Sequence, residues 1–264
     1  WCEKHQHVLI FYKINPSTKK HVEPFFIKHR VPVALPGING AAPVYYLTKK
    51  GTELLAHWFD DEHFLATKPR HPRVDHMNHW YAIIETRIVI EQAIALQDEV
   101  KLEHWVNEWE TANKASHENE QFYLHTKLNQ NPPLSCSPDA GFVLSLHGHK
   151  KVFYLEQDLG TSSPKQIAAR KTKGYAELAN RNLHRKHFPE TTLDDFKVLF
   201  VTPTAYRSQM TAEKIRKKPR PDLWLCIDQH ELTPESSLHG QITWNHKGER
   251  GSIVKPVPAE AVTP

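Results

Sequence analysis

The sequence predicts a mixed α/β fold in which a helix, three or more strands, a second helix and a further strand follow one another. Residues 79–96 carry the strongest helical pattern of the chain, with apolar side chains recurring on one face. Two apolar runs on either side of a polar turn at 147–150 predict a β-hairpin over 141–158. A helical pattern over 164–182 and an apolar strand over 196–202 follow. We therefore expect a mixed α+β sheet with helices packed against it.

Composition and length favour a globular protein of the cytoplasm. The chain has 264 residues, of which 39% are hydrophobic and 24% charged, as in ordinary globular domains. Its apolar runs are all shorter than the ~20 residues that span a bilayer, and its polar start gives no sign of a signal peptide. Three widely spaced cysteines, Cys2, Cys136 and Cys226, argue against a disulfide framework and for a reducing compartment. We expect a cytoplasmic location and no membrane partner.

The first region, residues 1–62, is expected to bind DNA. An apolar strand at 44–47 leads through Thr48, a residue type that favours helix N-caps, into an amphipathic helix. This succession resembles the wing and last helix of a winged helix-turn-helix domain, without an identifiable recognition helix before it. In such domains the wing contacts the DNA backbone, here through Lys49 and Lys50. The alternative is a plain hairpin and helix with solvated lysines.

Proline and glycine content suggests where the remaining boundaries lie. Pro69 and Pro72 stand in a stretch rich in Asp, Arg and His, and they predict a linker over 63–78. The core domain is then expected to cover 79–242. Residues 243–264 are rich in Gly, Lys and Pro without periodicity, and we expect them to form a loosely ordered tail.

Three acidic residues mark the end of the predicted hairpin. Because side chains alternate along a strand, Glu156 and Asp158 share a face with Tyr154, while Leu155 faces the other side. Asp139 comes just before the partner strand and is expected to meet them across the hairpin. Carboxylates at the end of a covered strand are costly to bury unless a cation pairs with them. A divalent ion such as Mg²⁺ or Mn²⁺ is one solution, and a structural ion pair is the other.

The helix over 164–182 provides a candidate partner for these acids. At about 100° per residue, Lys171 falls on the same side as Ile167 and Tyr175, whereas Lys173 diverges from it by about 160°. We therefore expect Lys171 to face inward and approach the carboxylates. There it can offset charge on an attacked phosphate, or it can belong to a buried structural pair.

A further acid, Glu85, lies among apolar residues on the first core helix. Tyr81 and Ile88 fall beside it on the helical wheel, and an acid centred on an apolar face is unusual. We interpret Glu85 as a possible member of the acidic cluster. The alternative is a salt bridge to a core arginine or lysine.

The positive charge of the chain is unevenly distributed, which favours a polyanionic partner. Seven basic residues against one acid lie between Lys165 and Lys186, and a second basic run covers 214–220. A solvated helix face is the alternative. On this helix we expect four side chains to contact DNA: Arg170, Lys173, Tyr175 and Arg181.

The acidic residues also carry a resemblance to known families. Asp139 in the pair Pro138-Asp139, followed downstream by Glu156-x-Asp158, is similar to the PD-(D/E)XK nuclease superfamily. The chain resembles, more narrowly, the replication-relaxation family of plasmid and mobile-element proteins over roughly residues 44–205. Further motifs of that family stand at four places: YYLTKKGTELL at 45–55, LEQDLGTSS at 155–163, Lys171 with Tyr175, and VLFVT at 198–202.

The resemblance implies a restriction-endonuclease-like core with the order αβββαβ and a metal-dependent DNA endonuclease or nickase. Asp139, Glu156 and Asp158 would then be ligands of Mg²⁺ or Mn²⁺, and Lys171 would act on the phosphate or the attacking water. The family pattern also has an acid at the position of Glu85, after a histidine such as His79.

One departure from the pattern favours an alternative without catalysis. The superfamily has a lysine two residues after the acid, where this chain has Asp158. The alternative is an inactive nuclease-fold protein that binds DNA or supports an assembly for plasmid replication, relaxation or mobilisation. DNA is the expected partner in both cases, together with other proteins of a replication, mobilisation or transposition assembly. A protein-interaction module that does not bind nucleic acid is a third hypothesis.

Overall fold

The structure of the chain is a computed structural model. The structure describes residues 25–29, 44–60, 62, 65, 74–112 and 122–255. The chain divides into two compact units, residues 1–78 and 79–264. The greater part of the expected linker and the last nine residues of the expected tail lie outside the described residues.

The first unit contains a small antiparallel hairpin followed by a helix. Strand β1, Phe26–His29, pairs with β2, Val44–Leu47, and helix α1 follows at Lys49–Phe59. The predicted N-cap is confirmed, because the Thr48 hydroxyl accepts a hydrogen bond of 3.1 Å from the backbone N–H of Gly51. The winged-helix interpretation of this unit stays a prediction.

The second unit is built on a seven-stranded mixed sheet. Its helices and strands, with the start of the first helix just before the boundary, are α2 Val74–Ala95, β3 Val100–Asn107, β4 Thr126–Gln130, β5 Pro133–Cys136, β6 Ala140–Leu146, β7 His149–Gln157, α3 Pro164–Asn180, α4 His184–His187, β8 Phe196–Thr202, α5 Ala205–Ile215, β9 Trp224–Asp228, β10 Thr243–Trp244 and β11 Arg250–Gly251. The sheet order is β11-β10-β9-β8-β7-β6-β3, with β8 parallel to both neighbours and the other pairs antiparallel. The predicted mixed α/β class is confirmed.

The hairpin of β6 and β7 has a shorter turn than the sequence predicted. His147 and Gly148 have φ values of 47° and 81°, so two residues with positive φ make the turn. This backbone matches the right-handed twist of the flanking strands. His149 already pairs with Leu146, and the pairing therefore extends the strands closer to the turn than expected.

Strand β7 is buried on both faces, as predicted, and so separates two hydrophobic clusters. On one side Tyr154 meets Phe196 edge to face at 5.0 Å, within the cluster that contains much of α3. On the other side Phe153 stacks on Phe142 at 5.4 Å, within the cluster that contains Ile83 of α2. The polar residues that end β7 are consequently distributed to both sides of the sheet.

Two segments outside the predicted helices and strands also form strands. Residues 133–136 form β5 and pair with β4 in a separate hairpin. The expected loose tail is ordered in its first part, because β10 and β11 extend the main sheet. Ile253 and Val254 are buried in a hydrophobic cluster. Apolar burial by a few side chains therefore orders a segment whose composition alone suggests a loop.

None of the described helices has the length and apolar character that crossing a membrane requires.

A buried histidine links three elements of the second unit. The Tyr154 hydroxyl lies 2.7 Å from His187 Nδ1, and the Thr126 hydroxyl lies 2.8 Å from its Nε2. Burial, and to a smaller extent the neighbouring His184, lowers the pKa of His187 to about 4. The neutral imidazole is therefore the form that the fold accommodates.

We expect this histidine to make the protein sensitive to acid. Between its pKa of about 4 in the folded protein and about 6.5 in the unfolded chain, the unfolded state binds more protons. The free energy of unfolding should therefore fall as the pH drops through this window, by on the order of 3 kcal/mol in total. Urea unfolding of the wild type and His187→Gln at a series of pH values measures the difference. An equal pH dependence in both proteins would contradict the assignment.

Candidate functional site

The candidate site lies where the β6–β7 hairpin ends, and Asp139 occupies its centre. The Asp139 N–H donates to the Leu155 carbonyl at 3.1 Å, which continues the strand pairing by one residue. The Gln157 N–H donates to Asp139 Oδ2 at 2.7 Å. Both bonds come from the backbone of β7, so the carboxylate position is fixed by the hairpin itself.

Glu156 is buried beside this acid and is held from helix α3. Lys171 Nζ lies 2.6 Å from Glu156 Oε2, and the Tyr175 hydroxyl donates to Oε1 at 2.6 Å. The inward position predicted for Lys171 thus agrees with the structure. Gly174 permits this approach, because a Cβ there would lie 2.9 Å from the Ser135 carbonyl oxygen. Helix α3 can therefore pack against β5 with Lys171 and Tyr175 directed at β7.

The two acids and the lysine influence one another's ionisation. Burial raises the pKa of Glu156 to about 7; the Lys171 ammonium opposes this shift and the Asp139 carboxylate adds to it. For Lys171, burial works against the charged form, but Glu156 and Asp139 outweigh it and raise the pKa. Two carboxylates next to one lysine favour a further positive charge in their vicinity.

Asp158, expected as a third metal ligand, is paired with Arg207 of α5 instead. The guanidinium donates through Nε to Asp158 Oδ2 and through Nη2 to Oδ1, the latter at 3.0 Å. The Gly160 N–H also donates to Oδ1, at 3.0 Å. Arg207 lies 49 positions downstream, and no sequence spacing indicated this pair. Asp158 is therefore engaged in a bidentate ion pair at the start of the loop before α3.

The expected inward position of Glu85 is wrong. Glu85 lies on the exposed side of α2, where it accepts a hydrogen bond from the Tyr81 hydroxyl. The buried side carries Ile83 and Thr86, and the Thr86 hydroxyl donates to Gln157 Oε1 at 3.0 Å. Helix α2 has large apolar residues on both sides, including Ile88, which is 45% exposed. A helical wheel therefore could not determine which side faces the sheet.

Two residues that the sequence did not indicate as metal ligands lie next to Asp139. His79 Nε2 is 3.4 Å from Asp139 Oδ2. Glu108, just after β3, accepts a 2.9 Å hydrogen bond from Trp80 Nε1. One potential ligand atom from each of His79, Glu108 and Asp139 lies within 4.8 Å of the others. Burial disfavours the charged His79 ring, but the carboxylates, Asp139 first and then Glu108, raise its pKa overall.

Among the residues expected to contact DNA, Tyr175 is wrongly assigned. Its side chain is fully buried and its hydroxyl donates a hydrogen bond to Glu156, so DNA cannot reach it. Arg170 and Lys173 are exposed on the outer side of α3. The exposed Arg181 donates to the Leu128 carbonyl at 2.8 Å and pairs with Glu177 at 2.9 Å.

The two lysines of the first unit that are expected to contact DNA stand in the first turn of α1. Lys49 is exposed and lies 3.9 Å from Glu53, a pair that contributes little at the surface. Lys50 Nζ is placed over the ring of Phe25, 4.9 Å from its centroid. A DNA contact by either lysine stays a prediction.

Fold and site together define an α/β protein with an acid–lysine cluster at the end of a buried hairpin. The family model described as replication-relaxation matches residues 29–191, more than half of the chain. The chain therefore belongs to the replication-relaxation family. This membership indicates a role in the replication or relaxation of plasmid or mobile-element DNA and implies interaction with DNA. Comparison with curated proteins and with solved structures gave no match.

Lys171 and Lys173 provide a matched pair for testing the cluster. Lys171→Ala leaves the Glu156 carboxylate buried without its cation, and we expect the free energy of unfolding to fall by about 2 kcal/mol. This is less than the ~3–5 kcal/mol of a fully buried pair, because the Lys171 side chain is 39% exposed. Lys173→Ala, on the exposed side, should change it by less than about 0.5 kcal/mol. Urea denaturation at neutral pH makes the comparison, and equal losses in both variants would count against the inward pairing.

Proposed function

We propose that this protein is a divalent-metal-dependent DNA endonuclease or nickase that acts on plasmid or mobile-element DNA. The main support is the convergence of Asp139, Glu156 and Lys171 at one end of the hairpin, with Lys171 Nζ 2.6 Å from Glu156 Oε2. These residues come from separate elements. The PD-(D/E)XK resemblance suggests the roles of metal ligand and acid for Asp139 and Glu156, with Lys171 as a substitute for the lysine that the superfamily has two residues after the acid.

The acidic residue that replaces the superfamily's lysine forms an ion pair of its own in the structure. Asp158, which stands where the superfamily has lysine, is paired with Arg207. Lys171 reaches Glu156 from helix α3 instead. A lysine can thus approach the acid although the position two residues after it is acidic.

Phosphodiester hydrolysis needs a nucleophilic water, compensation for charge on the phosphate and a proton for the leaving oxygen. The water gives up a proton to the solvent as its oxygen bonds to phosphorus, the bond from phosphorus to the leaving oxygen breaks, and that oxygen takes up a proton from the solvent. Asp139 offers the hard oxygen donors that Mg²⁺ and Mn²⁺ prefer, and a bound ion would supply Lewis acidity.

Lys171 is suited to stabilise the phosphate. Glu156 and Tyr175 fix one end of the cluster, and 39% of the Lys171 side chain remains accessible. Its ammonium can therefore face a phosphate while Glu156 holds it in position. Arg170 and Lys173, exposed on the same helix, are in a suitable place to contact neighbouring phosphates.

Nicking of supercoiled plasmid tests this function. With Mg²⁺ or Mn²⁺ we expect conversion to open circles, and we expect Asp139→Asn and Lys171→Ala to lower the rate by about 10²–10³-fold, as for loss of a charge-stabilising group. Gel electrophoresis over time gives the rates. Lys173→Ala is the matched control, because it removes a lysine from the same helix and should weaken DNA binding only slightly.

Two results would contradict the proposal. The first is no nicking with either ion by a folded protein. The second is a Lys171→Ala variant that cleaves as fast as wild type. Circular dichroism of each variant separates loss of chemistry from loss of fold.

A DNA-binding protein without cleavage is the second candidate, and the engagement of Glu156 favours it. Both Glu156 oxygens accept from Lys171 or Tyr175, and the residue is only 3% exposed. Such an arrangement also serves as a purely structural pair.

Binding assays distinguish this second candidate. It predicts duplex affinity that is unaffected by chelator and falls with salt by about 0.9 in log–log slope per phosphate neutralised. Affinity that disappears on chelation, or that lacks a salt slope, would exclude it.

A further inference from the structure

Two of the three acids expected to bind a divalent ion are already engaged. Glu156 accepts from Lys171 and Tyr175, and Asp158 forms its bidentate pair with Arg207. A metal at either carboxylate would have to displace a cation and leave it part-buried without its partner, which is unfavourable. Asp139 differs from these two acids, because its neighbours include His79 and Glu108, whose side chains can bind a metal ion.

These neighbours, His79 and Glu108, come from two further elements, and a hydrogen bond holds the Glu108 carboxylate. Within the part of the chain that the structure describes, His79, Glu108 and Asp139 are the one group of three whose ligand atoms lie close enough for a common ion, within 4.8 Å of one another. Trp80 Nε1 orients the Glu108 carboxylate at 2.9 Å, and the Gln157 N–H orients Asp139 at 2.7 Å. Such outer hydrogen bonds are typical supports of metal ligands.

The donor set is mixed, with one imidazole nitrogen and two carboxylates. Imidazole favours transition-metal ions, whereas sites for Mg²⁺ consist of oxygen donors. The His79 side chain is 26% exposed and Asp139 11%, so an ion can enter from solvent.

We infer that His79, Glu108 and Asp139 form a site for a divalent transition-metal ion such as Mn²⁺ or Zn²⁺, in preference to Mg²⁺. Glu156 then acts by positioning Lys171 and is not a ligand. This inference rests on the proposed function for its role in cleavage, but binding of the ion is measured without DNA and is therefore tested separately.

Titration of the protein with Mn²⁺, followed by the electron paramagnetic resonance signal of the free ion, tests the site. We expect one bound Mn²⁺, displaced by Zn²⁺ at similar concentrations and by Mg²⁺ only at more than about tenfold excess. His79→Gln and Glu108→Gln should each weaken Mn²⁺ binding at least about tenfold. Glu108→Gln keeps an oxygen acceptor for Trp80, which favours retention of the fold.

His104→Gln is the matched control, because His104 also lies beside an acid, with its Nδ1 3.3 Å from Glu190 Oε1. It should leave the Mn²⁺ affinity unchanged. Glu156→Gln should keep the affinity as well, although it slows any cleavage. Thermal unfolding of every variant verifies that it is folded.

The possible results separate this site from the proposed function. If Glu156→Gln abolishes Mn²⁺ binding while His79→Gln retains it, the ion lies between Asp139 and Glu156 and the inference is overturned, whether or not the protein nicks DNA. An absence of Mn²⁺ and Zn²⁺ binding to wild type also overturns it. Binding with the expected variant pattern but without nicking supports the site and removes the nuclease function.

Discussion

The constraint on which this structure depends is the burial of Glu156 at the end of a strand covered on both sides. A carboxylate with 3% exposure needs a cation and hydrogen-bond donors, and helix α3 supplies both through Lys171 and Tyr175. The spacing of four residues between these partners places them one turn apart on the same face. The position of α3 against β7 is therefore determined by charge pairing as well as by apolar contact, and Gly174 permits the close approach to β5.

Alternation along β7 then connects the two sides of the sheet. Glu156 faces the α3 side, while the side chain of Gln157 meets Thr86 of α2 on the other. The backbone N–H of Gln157 simultaneously holds Asp139. Because these bonds originate at consecutive residues of one strand end, a small change in register would disturb both helix contacts and the Asp139 carboxylate together. This coupling explains why the polar cluster is so compact although its members are distant in sequence.

Pairing decides which acids remain available for chemistry. In the sequence, Asp139, Glu156 and Asp158 look like similar groups. In the fold, Asp158 forms an ion pair with Arg207 and Glu156 forms one with Lys171. Asp139 is left beside His79 and Glu108. The family match at residues 29–191 includes this whole cluster but ends before Arg207, so the Asp158 pair also involves a part of the chain beyond the match.

The sequence by itself determined the positions of α2, the β6–β7 hairpin, α3 and β8, and the inward side of α3, because each of these follows from local periodicity. Apolar alternation located β6 and β7, and the wheel placed Lys171 toward the sheet.

Three features depended on tertiary structure. The sequence could not predict which side of α2 faces the sheet, because Ile83 and Ile88 lie on different faces of the helix and both are apolar. Only packing in the folded protein determines which face is buried. Arg207 and Glu108 reached the site through sheet pairing over long sequence separations, which leaves no local signal. The strands β10 and β11 formed from a polar segment because the edge of β9 provided hydrogen-bond partners that the sequence does not show.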